Sequence, residues 1–221
     1  DEVAKAAERL TRHYAGRKIG SLLFVCPAGL NMFRNILPRQ FGAVFDFECR
    51  YLGDYLLEQV VAGELRLDAI RPRSAAVHDS CHGRLLGSEV MESSRELYRR
   101  MGLELRELAD PLEEGLCCGM AAGCSRYRPD DILQATLKEL RRARSSGAEE
   151  LALYCGGCQL ILAMVACFYP GAPSVWHLLE YLAEATGAEV RLPATKRSLR
   201  LLARVARKAF PGLWSRRRFR L

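Results

Sequence analysis

Short apolar runs alternate along this chain with longer stretches in which apolar residues recur every three or four positions. Ala75–Val77, Glu104–Leu108 and Leu151–Tyr154 are brief and apolar or alternating, and they read as strands. Glu89–Met101 and Pro129–Ser145 carry the helical period. Strand, helix, strand, helix in that order predicts an α/β layer with parallel pairing. The longest apolar run, Leu160–Tyr169, has ten residues. It reads as a buried helix, because crossing a bilayer takes about 18 or more. The first segment, Asp1–Arg17, is polar and helix-like rather than a signal peptide. A start at Asp1 instead of methionine reads as a processed chain or a piece of a longer one.

Two segments share one pattern. Ser21-Leu-Leu-Phe-Val-Cys26-Pro-Ala-Gly29 parallels Glu150-Leu-Ala-Leu-Tyr-Cys155-Gly-Gly-Cys158. Each is an apolar run ending in a cysteine turn. Farther on, Leu52–Glu58 parallels Leu178–Glu184, with Tyr55 matching Tyr181. The repeat predicts two related halves about a pseudo-twofold.

Apolar residues make up 49% of the 221, enough for a packed core. The net charge of +7 is unevenly distributed. Residues 191–221 hold eleven lysines and arginines and no acid, which leaves the rest of the chain at −4. The basicity therefore belongs to a tail. From Thr195, apolar residues Leu199, Leu202, Ala206, Ala209, Phe210 and Leu213 recur at helical spacing, with arginines largely opposite. Trp214 and Phe219 flank Arg216–Arg218. Such a basic amphipathic helix suits an anionic membrane surface or an acidic partner subunit. No nucleic-acid-binding fold accompanies the charge, so nucleic acid is not expected as a partner.

Nine cysteines are an odd count, and the vicinal pair Cys117–Cys118 suits no structural disulfide. Metal-bound thiolates in a reducing cytosol are the better reading, which places the protein in the cytoplasm or on the cytoplasmic face of a membrane. Five cysteines are spaced regularly. Thirty-five residues separate Cys81 from Cys117-Cys118-Gly119, and thirty-five more precede Cys155-Gly-Gly-Cys158. Cys81, Cys117 and Cys155 each follow a predicted strand, where an α/β fold gathers ligands and helix N-termini stabilise thiolates. Sulfur donors select iron–sulfur clusters, zinc or copper(I) over hard cations.

This pattern resembles the cysteine-rich CCG domain of heterodisulfide reductase B-type subunits and of the C subunit of anaerobic glycerol-3-phosphate dehydrogenase. His78-Asp-Ser-Cys-His82 is similar to the family's HDPCH segment, with Ser80 in place of proline, and Leu116–Met120 to its CCG turn. The resemblance implies two pseudo-repeated α/β halves: a truncated, degenerate one over 1–70 and a cluster-binding one over 71–190, followed by the basic tail 191–221. It implies one 4Fe–4S cluster, cubane or noncubane, held by Cys81, Cys117, Cys118, Cys155 and Cys158. Gly119, Gly156 and Gly157 would leave room and backbone N–H groups beside it. The chemistry implied is electron transfer or disulfide reduction in a redox complex. No flavin or NAD signature and no ferredoxin-type cysteine run is present, so electrons would come from a ferredoxin-like or flavoprotein subunit. The alternative is zinc in a closed tetrahedral site, making the chain a structural or scaffolding subunit that anchors a complex at the membrane surface.

Other residues divide between chemistry and packing. His78 and His82 bracket Cys81 and could serve a sulfide or a proton, or simply hold the loop. His177 reads as structural, and Cys49 and Cys167 as core. Cys124 reads as a small buried residue, and Arg126 and Arg128 as solvated. Cys26 reads as the leftover of a lost motif that could still face the site of the second half.

Overall fold

In this computed structural model, residues 2–108, 117–120, 129–189 and 194–213 are described. Two parallel sheets and the helices between them form a mixed α/β fold. A four-stranded sheet lies at its centre, built from β3 (Ser74–His78), β4 (Glu104–Glu107), β5 (Glu150–Leu153) and β6 (Ser174–His177). The spatial order is β4-β3-β5-β6, with every pair parallel. The chain thus leaves β3 for one neighbour, then crosses back to pair β5 with the other edge of β3. That reversal is a topological switch point, and crevices open there beyond the strand C-termini.

Side-chain alternation along the two central strands divides the core. Ala75, Ala152 and Tyr154 face one hydrophobic cluster, and Ala76, Leu151 and Leu153 face the other. The first cluster is closed by α6 (Ser88–Arg100) and α9 (Leu178–Ala185) through Leu97, Tyr98, Tyr181 and Leu182. The second is closed by α7 (Pro129–Ser145) and α8 (Gly156–Ala166) through Leu140, Ala143, Ile161 and Leu162. Both central strands are buried along their whole length, as helices on both faces require.

The N-terminal part repeats this wiring on a smaller scale. Strand β1 (Ser21–Phe24) pairs in parallel with β2 (Glu48–Tyr51), and α4 (Leu52–Val61) follows, as β5 pairs with β6 and α9 follows. Between β1 and β2 run α2 (Pro27–Asn31), a π-helical turn (Met32–Ile36) and α3 (Leu37–Phe41). The π turn has a cause in Pro38, which lacks an N–H and displaces the backbone of the preceding turn. The unit joins the larger sheet through Leu30 and Tyr51 of the first core cluster and through the partly buried Leu56 and Leu57 packed against it, with α4 packed on α6. Helix α1 (Glu2–Tyr14) closes a small satellite cluster of Ala7, Leu37 and Ala43, with Phe33 and Phe45 stacked 4.9 Å apart.

The structure departs from the sequence pattern in three places. Cys81 does not stand in an open turn but begins α5 (Cys81–Leu86), capped by the Ser80 hydroxyl, which accepts from the Gly83 N–H at 2.9 Å. The apolar run after residue 160 ends its helix early: α8 stops at Ala166, and Phe168 is exposed. The basic helix α10 (Ala194–Leu213), read from the sequence as a surface for a membrane or a partner subunit, packs on α8 of its own chain. Ala194 and Ser198 are buried, while Leu199, Leu201 and Leu202 remain exposed. Arg197 is tied to Glu180 on α9. No helix among the described residues is long and apolar enough to cross a membrane.

Candidate metal centre

The switch point carries the thiols. Cys81 follows β3, and Cys155 follows β5 as the residue that caps α8, so adjacent parallel strands aim both into one crevice. Cys158 sits one turn into α8, and the Cys117–Cys118 segment comes over from the loop before α7. The sulfurs of Cys118 and Cys158 lie 3.1 Å apart, and Cys81 is within hydrogen-bond reach of Cys117. Cys155 in turn contacts Cys158. The five cysteines picked out by spacing thus form one row. Cys118, Cys155 and Cys158 are buried, whereas Cys81 and Cys117 are half-buried.

A sixth thiol joins them. Cys26, at the end of β1, places its Sγ 3.4 Å from Cys155 Sγ. Cys49 and Cys167 take no part: Cys49 is half-buried in β2, and the Cys167 thiol turns back to the carbonyl of Ala163 at 3.1 Å. Cys124, Arg126, Arg128, Trp214 and Phe219 lie outside the described residues.

Backbone geometry fixes the CCG turn. Gly119 has φ +95°, and a Cβ there would stand 2.7 Å from the carbonyl oxygen of Ile132 and 3.1 Å from Thr136 Oγ1. The glycine is therefore required by the approach of α7 as well as by its own left-handed conformation. The Thr136 hydroxyl lies 2.7 Å from the carbonyl of Cys118 and pins the same turn. At Gly156 a Cβ would meet nothing, but the N–H groups of the α8 turn are directed at sulfur. Those of Gly157 and Cys158 point to Cys155.

Beside the thiols is a buried dyad. His78, at the end of β3, and Glu139, on α7, are almost fully enclosed, with Nδ1 2.6 Å from Oε1. Nε2 has no oxygen or nitrogen partner, and one ligand atom each of His78, Cys118 and Cys158 lie within 4.8 Å of one another. Burial alone would push the imidazole pKa down. The Cys118 and Glu139 contacts prevail and raise it to about 10. A carboxylate on one ring nitrogen with the other turned to a thiol cluster is the outer-shell arrangement of metal-bound histidine. Sequence reasoning missed Glu139. Its signal is a charged residue on the α7 face that also carries Ile132, Thr136, Leu140 and Ala143.

The loop bearing Cys81 is held by a second network. Arg95, itself buried, donates two bonds to Asp79, at 2.9 and 2.6 Å, and two to Glu107, at 2.9 and 2.8 Å. The Tyr154 hydroxyl donates to Asp79 at 2.8 Å. Asp79 therefore anchors the segment between the strand and the first cysteine. The His82 ring faces Asn31 Nδ2 at 3.1 Å, which links α5 to α2. His177 caps α9, its Nδ1 accepting from the Leu179 N–H at 3.2 Å, in agreement with a structural role.

Electrostatics across the row are uneven. Cys155 is held well below the ordinary thiol range by hydrogen bonds from Cys158 and Cys26 and by backbone N–H groups. Cys26, Cys81 and Cys158 are pushed above it by their thiol partners and by burial. Crowded thiols oppose one another's ionisation unless a cation sits among them.

Residues 75–163 match the family model of the CCG cysteine-rich domain. The matched CCG segment opens on β3, closes within α8 and contains all five spaced cysteines. Three curated relatives are similar over wider stretches. The probable iron-sulfur-binding oxidoreductase FadF of Bacillus subtilis is 30% identical over 119 residues, 53% of this chain and 16% of that protein. The D subunit of the dihydromethanophenazine:CoB–CoM heterodisulfide reductase of Methanosarcina barkeri is 25% identical over 191 residues, 84% of this chain and 46% of its own length. The EtfAB:quinone oxidoreductase of Syntrophomonas wolfei is 23% identical over 154 residues, covering 67% and 21%. The chain spans less than half the length of each of these relatives.

Proposed function

We propose that the CCG domain of this chain holds one iron–sulfur cluster of the 4Fe–4S class, cubane or noncubane, with Cys81, Cys117, Cys118, Cys155 and Cys158 as its ligands, and that it serves a redox complex in electron transfer or disulfide reduction. The observation that carries the reading is the convergence of those five sulfurs at the switch point between β3 and β5. The donor set fits the group: it is all thiol, half to fully buried, and flanked by the N–H groups of the α8 turn. When bound, such a cluster supplies one-electron transfer and, with an open iron position, a site at which sulfur can bind. The protein's part is to orient the thiols through Asp79–Arg95 and the Gly119 turn, and to exclude water with α7 and α8. Relatives named as an iron-sulfur-binding oxidoreductase, a heterodisulfide reductase subunit and a quinone oxidoreductase support the redox reading. A ferredoxin-like or flavoprotein subunit is the electron donor we assign.

A second reading has its own support. His78 with Cys118 and Cys158, backed by Glu139, makes a compact zinc-type donor set, in which the chain would be a structural subunit. Iron, zinc and acid-labile sulfide content after strictly anaerobic purification, with an EPR spectrum of the same sample, separates the two. Four iron and four sulfide per chain are expected; one zinc without sulfide would overturn the cluster.

We place the protein in a reducing cytosol, a reading supported by the odd cysteine count and the vicinal pair Cys117–Cys118. For residues 195–221 we retain contact with an anionic membrane surface or an acidic subunit, supported by the exposed Leu199, Leu201 and Leu202 beside the arginines of α10. Sedimentation with anionic vesicles at low salt is expected for the membrane case, and its absence would remove it.

A further inference from the structure

Cys26 stands outside the CCG domain and outside the five-cysteine pattern, yet its sulfur is in the row. Its contact with Cys155 spans 129 residues and joins two turns of the same shape. Cys26 follows β1 by two residues and precedes α2 with φ −115° and ψ 127°; Cys155 follows β5 by two residues and precedes α8 with φ −122° and ψ 120°. Equal backbone conformation at equal distance from a parallel strand points both side chains into the crevice from opposite units.

We propose that Cys26 is a sixth thiolate ligand of the centre, supplied by the N-terminal β–α unit and bound to the metal atom that Cys155 holds; this rests on the cluster reading above. Two thiolates on one tetrahedral metal atom at about 2.3 Å lie about 3.8 Å apart. The 3.4 Å between Cys26 and Cys155 requires only a small opening to reach that span. The backbone N–H groups of Ala28 and Gly156 are directed at Cys26 sulfur, and those of Gly157 and Cys158 at Cys155. One nest of amides, drawn from both units, therefore serves both sulfurs. A cysteine serving only to fill space would not need its sulfur aimed at a thiol and two amides.

The surroundings keep Cys26 there. Helix α2 packs on α5, the helix that Cys81 opens, and Asn31 of α2 meets His82. Gly29 occupies what would be the second cysteine of a Cys-X-X-Cys turn, and a Cβ at that position would already stand 3.2 Å from the Phe24 ring. This unit delivers one sulfur and not two. On binding, Cys26 gives its proton to solvent and no electron moves. Cys26 would thereby join the N-terminal unit to the CCG domain through the metal.

The test is thiol mapping of anaerobically purified full-length protein with N-ethylmaleimide and mass spectrometry, alongside Cys26→Ala and Cys26→Ser. Cys26 is expected to be protected in the metal-loaded protein and alkylated once a chelator strips the metal, with Cys49 and Cys167 reacting alike in both states. Cys26→Ala is expected to lose metal to a competing chelator at least as readily as a protein missing an outer-shell partner, roughly 10–100-fold. Cys26→Ser should retain metal but shift the EPR or Mössbauer signature of one iron. Full alkylation of Cys26 in loaded wild-type protein, together with unchanged spectra in both variants, would overturn the proposal. Iron and sulfide present with Cys26 free sinks this inference alone, whereas no iron and no sulfide sinks the cluster reading itself.

Discussion

Nδ1 of His78 and Oε1 of Glu139 lie 2.6 Å apart, and both side chains are almost wholly buried. They join the central strand of the sheet to α7 directly behind Cys118 and Cys158. Arg142 adds a second bond to Glu139 at 2.9 Å.

Removing one member of a buried charged pair leaves the other without compensation and costs about 3–5 kcal/mol. Glu139→Ala is expected to lower the urea midpoint accordingly, while Glu139→Gln, which can still accept from Nδ1, loses less. Glu139→Ala should also release metal faster than wild type, because the imidazole orientation is no longer fixed, and Glu139→Gln should do so less. Equilibrium unfolding and chelator competition measure the two effects. Unchanged metal retention in Glu139→Ala would show that the dyad only supports packing.

Gly119→Ala places a methyl group against the Ile132 carbonyl at a φ that side chains rarely adopt. The strain at such a position is about 1–3 kcal/mol. Because the turn carries Cys117 and Cys118, the loss is expected in reconstitution yield as well as in stability. Iron and sulfide per chain after reconstitution, set against thermal unfolding, checks both. A fully loaded Gly119→Ala protein would mean that the turn relaxes without displacing its thiols.

His177, beside Cys155, gives a pH-dependent prediction. Burial holds its pKa down, from 6.5 to about 4, and its neutral Nδ1 caps α9. Between those values the unfolded chain takes up a proton that the folded chain does not, so stability falls as pH drops from about 6.5 to about 4. His177→Asn supplies a cap that does not titrate and should flatten that part of the profile relative to wild type. His177→Ala should lose about 1 kcal/mol at neutral pH. Urea unfolding of the three proteins between pH 4 and 7 is the measurement. Parallel profiles for wild type and His177→Asn would remove His177 as the source.

Much of the layout was legible along the chain. Ala75–Val77 and Leu151–Tyr154 are apolar throughout because both faces of their strands are covered, and the helical periods of α6 and α7 mark the faces that cover them. Cys155 and Cys158 share one helical turn, so their proximity follows from local geometry alone. The parallel between Ser21–Gly29 and Glu150–Cys158 foretold two strand–helix turns of one shape. It left open whether Cys26 would reach the second site.

Glu139 and Arg95 were not legible in this way. A charged residue on an amphipathic helix reads as solvated until its partner is known, and His78 and Asp79 lie 61 and 16 residues away from them. The docking of the tail on its own chain was not legible either: α10 packs on α8 with Ala194 and Ser198 buried, while Leu199 and Leu202 of its apolar stripe stay exposed.

The sequence by itself determined the α/β alternation, the thiol inventory and the two repeated turns, because these depend on period, residue type and spacing within a few residues. The tertiary structure decided which of the distant thiols meet. The order β4-β3-β5-β6 sets Cys81 and Cys155 on neighbouring strand ends, and docking of β1 through α4 carries Cys26 to within 3.4 Å of Cys155. Strand order and the packing of one unit on another arise from burial of apolar faces over the whole chain, which no local pattern encodes.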